Sequence, residues 1–310
     1  MSKSKQINSF TNLIEVMMYF SDNETCKKYL AEMRWRDGII CPHCGNGDKI
    51  YTLKNNYKCS ECRKQFSVTK GTIFENSPIP LQKWFAAIWL ITSHKKGISS
   101  LQLSRDIGIT QKSAWFVLQR IRYAIRTRSF SVPLNNIVEA DETYIGGKNK
   151  NRHTDKKIDN AQGRSIKDKT PVFGMIERNG RMVAMKVKNT TQQTIVPIIE
   201  DCVSQNALIM TDEWKAYKNL SANYDHKVIK HGEGQYVNGD CHTNSIEGFW
   251  SLLKRRIVGI YHHVSEKHLD AYIDEFEYRY NTRNIIDSER FTLALTNIDS
   301  RLSYKQLIVK

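Results

Sequence analysis

Long apolar runs are missing from this sequence of 310 residues, and no segment is apolar over the roughly 20 residues that a membrane-spanning helix needs. The segment from Met1 to Gln6 also lacks the apolar core of a secretory signal. These two absences argue against an integral membrane protein and against a secreted one. We therefore expect a cytoplasmic protein with no membrane partner.

Acidic residues are scarce in the first part of the chain, where residues 1–135 hold 21 Lys and Arg against 9 Asp and Glu. Residues 136–310 hold 26 against 23, so most of the formal net charge of +15 lies before residue 136. Such an excess of cations is typical of a domain that contacts nucleic acid phosphates, although a solvated basic surface that aids solubility is an alternative. The length allows two or more domains.

Disulfides are not indicated either, because the seven cysteines are an odd number and no signal directs the chain to an oxidising compartment. Four of them occur as Cys41-Pro-His-Cys44 and Cys59-Ser-Glu-Cys62, two CxxC pairs separated by 14 residues. Each pair directs both sulfurs to one metal, and two pairs supply the four thiolates of a tetrahedral structural Zn²⁺ site. The spacing predicts a zinc ribbon in residues 39–76, with four unrelated thiols as the alternative.

Apolar residues at helical spacing predict two short helices in residues 1–38 and a helix-turn-helix region in residues 77–132. In the second region Gly108 marks a tight turn, and Thr110 caps the helix that follows. This pattern is typical of DNA-binding proteins, although a plain helical hairpin would produce it too. The residues expected to contact DNA lie at the start and at the basic end of the second helix: Gln111, Lys112, Ser113, Arg120 and Arg122.

Two apolar, β-branched segments in the second half of the chain each carry an aspartate, which predicts two strands that present carboxylates. Asp141 lies within Ile137–Gly147, and Asp212 follows the apolar run that starts at Ala207. A charge in a buried strand costs several kcal/mol unless it is paired, so each aspartate needs a partner or holds a cation. A third acidic residue, Glu247, lies in a segment that is predicted to be a helix.

The predicted order of elements in residues 133–310 is β-β-β-α-β-α-β-α, which describes a ribonuclease H-like mixed α/β domain. The chain is thus expected to be a multidomain α+β protein in which a small zinc ribbon and a helix-turn-helix precede this catalytic domain. If Asp141, Asp212 and Glu247 converge, they provide oxygen ligands for two Mg²⁺ ions about 4 Å apart, an arrangement that supports phosphodiester chemistry.

The helix face that carries Glu247 also carries Asn244 and Lys254, and Lys254 could reach a DNA phosphate near the metals. A capping box with Asn244 at the N-cap and Glu247 three residues later would explain both residues without catalysis. The two strand aspartates favour the catalytic interpretation. Glu142 and Glu213 directly follow the aspartates and should point to the opposite side of the sheet.

Together these segments resemble the DDE-type insertion-sequence transposases that carry an N-terminal zinc ribbon, the ISXO-like subgroup. The resemblance covers nearly the whole chain and rests on both CxxC pairs, on Asp141-Glu-Thr-Tyr-Ile-Gly-Gly-Lys148, on Thr211-Asp212 and on the segment from His242 to Lys254. It implies that the protein binds double-stranded DNA at transposon ends, cleaves it and joins the freed 3′-hydroxyl to target DNA. It also implies Mg²⁺ or Mn²⁺ in the catalytic site, no covalent enzyme intermediate, and a homodimer or higher oligomer on nucleoid-associated DNA.

The resemblance leaves the third catalytic residue open. In this subgroup the position is often an asparagine, which would be Asn244 with Lys254 after it, whereas Glu247 matches the glutamate spacing of other DDE enzymes. Two other functions are alternatives: a DNA-binding regulator with an inactive transposase-derived domain, and a plain nuclease of the same fold. The intact carboxylates argue against the regulator, and the N-terminal 135 residues argue against the nuclease.

Overall fold

The computed structural model describes residues 9–126, 132–147, 153–158, 168–233 and 239–309. The chain forms two compact units, one made of Met1–Ile125 with Arg283–Lys310 and the other of Arg126–Thr282. The sequence analysis grouped residues 283–310 with the acidic strands, whereas the structure packs them in the first unit. The physical reason is aromatic burial between the two ends of the chain.

The first unit is mainly helical within its described residues. Its helices are α1 (Leu13–Tyr19), α2 (Asn23–Arg34), α3 (Leu81–Ser93), α4 (Ser100–Ile107), α5 (Gln111–Ala124), α9 (Asp287–Thr296) and α10 (Tyr304–Ile308). Side-chain caps start several of them, as when Thr110 accepts a hydrogen bond from the backbone N–H of Ser113. Gly108 ends α4 in the left-handed conformation that favours glycine.

Aromatic side chains from both ends of the chain form the core of the first unit. Phe20 and Phe85 are fully buried with ring centroids 4.7 Å apart, and Phe291 of α9 lies 6.0 Å from Phe85. Phe10 adds a fourth ring, and its backbone N–H donates to Ser288 Oγ at 2.9 Å. Because full burial of each ring contributes roughly 1.5–3 kcal/mol, Phe291 binds α9 firmly to this core.

The ribbon of the first unit is a small antiparallel sheet in the order β1-β2-β3, made of β1 (Ile50–Thr52), β2 (Tyr57–Cys59) and β3 (Gln65–Phe66). Its inner face buries Cys59 and Phe66. Trp35, which directly follows α2, meets the Tyr57 ring edge-on at 5.0 Å. The ribbon is therefore packed against the end of α2.

The second unit is built on a mixed five-stranded sheet in the order β6-β5-β4-β7-β8. Its strands are β4 (Ile137–Ile145), β5 (Thr170–Glu177), β6 (Met182–Lys186), β7 (Leu208–Asp212) and β8 (Asp225–Ile229). Strands β4, β5 and β6 pair antiparallel, while β7 runs parallel to β4 and to β8. The Asn179-Gly180 turn joins β5 to β6, with Asn179 at a φ of 61°.

Helices cover both faces of this sheet. Helix α6 (Gln192–Cys202) buries Ile195 and Ile199 in one core with Val138, and helices α7 (Asn244–Arg256) and α8 (Leu269–Asn281) form a second core. Alternate residues of β4 thus face α6 or α7. No helix in the described part of the chain is both long and apolar enough to cross a membrane.

Candidate active site and metal centre

Asp141 and Asp212 lie on neighbouring parallel strands at corresponding positions. Glu139 of β4 pairs with Met210 of β7, so two further residues along each strand bring Asp141 level with Asp212. Because side chains alternate along a strand and cross-strand partners share a face, both aspartates belong to the face that α7 covers. Asp212 is 9% exposed and its Oδ1 accepts the backbone N–H of Trp214 at 2.9 Å. The two aspartates therefore belong to one face of neighbouring strands, and their joint role in a site stays a prediction.

Asp141 is oriented by an indole that lies against the sheet. Trp250 of α7 donates its Nε1–H to Asp141 Oδ2 at 3.1 Å. Gly174 of β5 pairs with Asp141, and a Cβ at Gly174 would lie only 2.5 Å from Trp250 Cη2. The glycine thus leaves the space that the indole occupies. The only sequence signal for this contact was a glycine inside an apolar strand, which often marks a close approach.

A second acidic residue of β4, Glu139, holds the beginning of α7. Glu139 has no exposed surface, and its Oε2 accepts the backbone N–H groups of Ser245 at 2.8 Å and Ile246 at 3.2 Å. Its Oε1 accepts the Ser245 hydroxyl at 3.0 Å and the Arg178 Nε–H at 2.7 Å. Sequence reasoning missed Glu139, although its position two residues before Asp141 on one strand places both on the same face.

Helix α7 carries the three remaining predicted catalytic residues, Asn244, Glu247 and Lys254. The expected capping box is wrong, because the helix starts at Asn244 and its N-cap residue is Thr243. Thr243 instead donates its hydroxyl to Glu247 Oε1 at 2.9 Å. The N-cap lies one residue earlier than expected because the carboxylate of Glu139, on strand β4, already binds the first N–H groups of the helix.

The direction of each side chain around α7 separates the candidates. At about 100° per residue, Glu247 lies about 60° and Lys254 about 40° from Trp250, whereas Asn244 lies about 120° away. All three lie on the same side of Trp250, and because Trp250 contacts Asp141, Glu247 and Lys254 point closer to Asp141 than Asn244 does. Partial burial lowers the pKa of Lys254, while nearby Asp141 raises it and nearby Lys169 lowers it further.

The two glutamates that follow the aspartates have other partners. Buried Tyr217 donates its hydroxyl to Glu142 Oε1 at 2.6 Å, and Glu213 Oε1 accepts the Gly232 N–H at 2.8 Å. Burial raises the pKa of Tyr217 well above its usual value, and Glu142, Asp141 and Asp212 raise it further. The carboxylates therefore create a strongly negative potential at this end of the sheet.

The carboxylates are less tightly grouped than the cysteines. Within the described residues, only Cys41, Cys44, Cys59 and Cys62 form a group of three or more metal-ligating side chains whose ligand atoms all lie within 4.8 Å of one another. Asp141, Asp212 and Glu247 are consequently spread over a longer distance.

The four cysteines fit a tetrahedral metal. Cys41 Sγ lies 3.7 Å from Cys62 Sγ, and Cys44 Sγ lies 3.7 Å from Cys59 Sγ. A tetrahedron with zinc–sulfur bonds of about 2.3 Å has sulfur–sulfur edges of about 3.8 Å. The backbone N–H groups of Cys62 and Glu61 lower the pKa of Cys59 to about 7, whereas burial raises the pKa of Cys26 to about 12. Cys26 is thus an inert core residue and lies outside the metal site.

The predicted DNA-contacting residues of α5 fall into two groups. Gln111 and Lys112 are exposed and Ser113 is half-buried, so these three stay predictions. Arg120 is 4% exposed and donates to the backbone carbonyls of Ile73, Glu75 and Leu302, while Arg122 has no exposed surface. The prediction that Arg120 and Arg122 contact DNA is therefore wrong, because the C-terminal segment packs over this end of the helix.

Two further surfaces carry positive charge. On the outer face of the ribbon, Tyr51 pairs with Lys58, Lys58 pairs with Gln65, and Lys49 Nζ lies 5.8 Å from the centroid of the exposed Tyr51 ring. In the second unit, a cavity of about 610 Å³ beyond the carboxyl end of β4 is lined by three lysines, among other residues. These are Lys169, Lys186 and Lys188. Asp168 and Glu266 also line the cavity, so its lysines outnumber its carboxylates by one, and both surfaces offer cations to a polyanion.

The protein combines a mixed α/β sheet unit with an N-terminal four-cysteine ribbon. Known families match both parts. Residues 133–281 match the family model for the ISXO2-like transposase domain, and residues 21–65 match the transposase zinc-ribbon domain. An uncharacterized protein in transposable element ISH50 of Halobacterium salinarum is 30% identical over 274 residues, which cover 84% of this chain and 91% of the relative. The chain belongs to the ISXO2-like transposase family of insertion sequences, as its motifs predicted.

Two more distant similarities accompany this match. An uncharacterized transposase-like protein of Haemophilus influenzae is 26% identical over 106 residues, which cover 34% of this chain and 85% of that protein. Among solved structures, the Mos1 strand transfer complex is similar at 14% identity and a TM-score of 0.26, over 69% of this chain and 78% of that one. Values this low carry no argument about shared structure.

Proposed function

We propose that the protein is a DDE-type transposase that binds the ends of its element and catalyses Mg²⁺-dependent strand cleavage and strand transfer into target DNA. The register of β4 and β7 carries this proposal, because it brings Asp141 and Asp212 to one face at the end of two parallel strands. The sheet order β6-β5-β4-β7-β8 with β7 and β8 parallel to β4 is the order of a ribonuclease H-like domain, which supports the predicted fold.

The donors at this site fit a hard divalent cation. Carboxylate oxygens are the ligands that Mg²⁺ and Mn²⁺ prefer, and Asp141 and Asp212 would hold the metal together with Glu247 or Asn244. When bound, such ions activate the attacking oxygen and stabilise the leaving oxygen of a phosphodiester. The negative potential around Tyr217 supports cation binding at this end of the sheet.

The protein's own side chains orient the reacting groups. Trp250 holds one oxygen of Asp141 in a hydrogen bond and thereby fixes the orientation of this carboxylate. Lys254, close to Asp141, supplies a cation for a DNA phosphate. Directions around α7 favour Glu247 as the third ligand, because Asn244 points about 60° farther from the Trp250 contact than Glu247 does.

The DNA is held by the basic surfaces of both units in this proposal. The exposed start of α5 and the outer face of the ribbon supply cations in the first unit, and the lysine-lined cavity supplies them in the second. The ribbon cysteines would hold about one structural Zn²⁺ per chain. Because two ends and a target must meet, we propose a homodimer or higher oligomer on double-stranded DNA.

Single-turnover cleavage of a labelled end fragment across a Mg²⁺ series tests the function. The carboxylate-to-amide variants Asp141→Asn and Asp212→Asn should lose at least about a thousandfold in cleavage rate and keep their affinity for the fragment. Glu247→Gln should be almost as impaired and Asn244→Ala much less so. An enzyme with intact DNA binding but no cleavage or joining in Mg²⁺ or Mn²⁺ would instead indicate the regulator.

A further inference from the structure

Glu139 of β4 fixes the start of α7, and Arg178 binds both Glu139 and the segment that precedes α7. Arg178 binds Glu139 through its Nε–H and donates its other N–H groups to the backbone carbonyls of Asp240 at 2.7 Å and His242 at 3.0 Å. The arginine thereby ties the segment before α7 to the same carboxylate that binds the first turn of the helix. The network therefore joins β4, the first turn of α7 and the residues that precede α7.

Helix α7 is attached to β4 at a second point, where Trp250 binds Asp141. From Ser245 to Trp250 the helix rises about 7.5 Å, and from Glu139 to Asp141 the strand rises about 6.7 Å. The two spacings match, so the helix runs alongside the strand in the same direction through this stretch. Glu247 lies between the two attachments, and Asn244 directly precedes the first one.

A buried carboxylate at this place is not explained by stability alone. A buried ion pair is often no more stable than well-packed apolar side chains of similar size, because desolvation offsets the attraction. What an apolar pair cannot supply is direction: two backbone N–H groups and one hydroxyl of Ser245 and Ile246 converge on Glu139 and fix both the height and the rotation of α7. Arg178 holds the carboxylate in place, and His242 Nδ1 lies 3.3 Å from its Oε1. Directional bonds of this kind orient metal ligands in many proteins.

We propose that Glu139, held by Arg178, is a positioning residue of the active site. It sets the place of the first turn of α7 and thereby brings the third ligand, Glu247 or Asn244, within reach of a metal on Asp141 and Asp212. The inference rests on the proposed function. It adds a residue outside the predicted ligand set and assigns it a role in metal affinity.

The test measures Mn²⁺ binding to the zinc-loaded, full-length protein by calorimetry without DNA, and then the Mg²⁺ dependence of end cleavage. Glu139→Gln replaces an accepting oxygen by an NH₂ group that faces other donors, so the first turn loses its anchor. We expect Mn²⁺ affinity to fall about 10-fold to 100-fold and the Mg²⁺ concentration for half-maximal cleavage to rise by a similar factor. Affinity for the end fragment should stay within about twofold of the wild type, since the basic surfaces are unchanged.

Glu275→Gln is the matched control, because Glu275 is equally buried and is paired with Arg279 of α8 away from the first turn of α7. It should lower the melting temperature comparably and leave Mn²⁺ affinity unchanged. The proposal is overturned if Glu139→Gln binds Mn²⁺ like the wild type, or if both variants lose the same affinity.

Ser245→Ala covers the case in which Glu139→Gln does not fold. It removes only the hydroxyl bond to Glu139 and keeps the backbone bond, and we expect a loss of Mn²⁺ affinity of about threefold to tenfold. Unchanged affinity in a folded Ser245→Ala protein would contradict the proposal. Asp141→Asn distinguishes failure of the proposed metal site from failure of the positioning role. If Asp141→Asn binds Mn²⁺ as tightly as the wild type, the proposed metal site is wrong. If Asp141→Asn loses Mn²⁺ affinity and Glu139→Gln keeps it, only the positioning role of Glu139 is wrong.

Discussion

The two units differ in how the chain builds them. The sheet unit is one continuous stretch, Arg126–Thr282, whereas the helical unit is assembled from Met1–Ile125 and Arg283–Lys310. The residues proposed for chemistry therefore lie within one uninterrupted segment. Two of the three surfaces proposed for DNA binding, the start of α5 and the outer face of the ribbon, belong to the unit made of Met1–Ile125 and Arg283–Lys310. Point substitutions can separate DNA binding from strand cleavage. Cutting the chain near residue 135 cannot, because it removes residues 283–310 from the helical unit.

The largest effect is expected from deleting residues 283–310. The deletion removes α9, and with it the buried Phe291 and the Ser288 hydroxyl that accepts the Phe10 N–H, so the first unit should lose its cooperative fold. Specific affinity for end DNA should disappear, while hydrogen exchange should still show protection in strands β4 to β8. Native end binding by the deleted protein would show that the first unit folds and binds DNA without residues 283–310.

A single substitution in the same aromatic core tests this packing without removing α9. Phe291→Ala should lower the free energy of unfolding of the first unit by about 3–5 kcal/mol, because it leaves a cavity among four aromatic rings, those of Phe10, Phe20, Phe85 and Trp89. Leu293 lies on the same helix and is 37% exposed, so Leu293→Ala should cost less than about 1 kcal/mol. Denaturant unfolding of both variants provides the measurement.

The next effect concerns the ribbon, the one part of the first unit whose fold depends on a metal in our proposal. Cys59→Ser removes the thiol with the lowered pKa, so zinc content should fall from about one per chain to near zero and β1–β3 should unfold. Cys26→Ala removes a buried thiol of the same unit and should retain the zinc. Metal analysis with circular dichroism decides, and a zinc-free wild type with an ordered ribbon would contradict the metal site.

Local signals in the sequence were sufficient for several features of both units. The CxxC spacing identified the four sulfurs that converge, the Asn179-Gly180 pair marked the β5–β6 turn, and apolar runs that carry an aspartate identified β4 and β7. In each case the determining residues are close neighbours along the chain. Patterns of this length are what periodicity and turn chemistry encode.

Features that depend on distant partners were not predictable in the same way. Arg120 lies in a basic stretch that resembles a DNA-binding surface, and only contact with residue 302 shows that it is buried. The roles of Glu139 and Gly174 depend on the register of β4 with its neighbours and on where α7 packs. A single sequence specifies these through tertiary burial, which leaves no local periodic signal.

The smallest effect is expected from a substitution within the sheet unit, at Gly174 of β5. Gly174→Ala adds a methyl group 2.5 Å from Trp250 Cη2 and 2.7 Å from Cζ2, so the indole must move away from the sheet. Overpacking of this kind costs about 1–3 kcal/mol, and loss of the bond to Asp141 should reduce cleavage about 10-fold to 100-fold. End binding should not change. Gly259→Ala, with nothing within 4 Å of the added methyl, is the control for the substitution itself.

A second substitution separates packing from hydrogen bonding in this prediction. Trp250→Phe removes both the Nε1–H donor and the outer ring atoms that the new methyl would meet. If the indole acts as argued, the double variant Gly174→Ala/Trp250→Phe should be more stable than the two single costs predict, because the clash no longer exists. Its cleavage rate should nevertheless stay as low as that of Trp250→Phe alone, because Asp141 still lacks its donor. Full recovery of cleavage in the double variant would show that Trp250 only fills space and that Asp141 needs no fixed orientation.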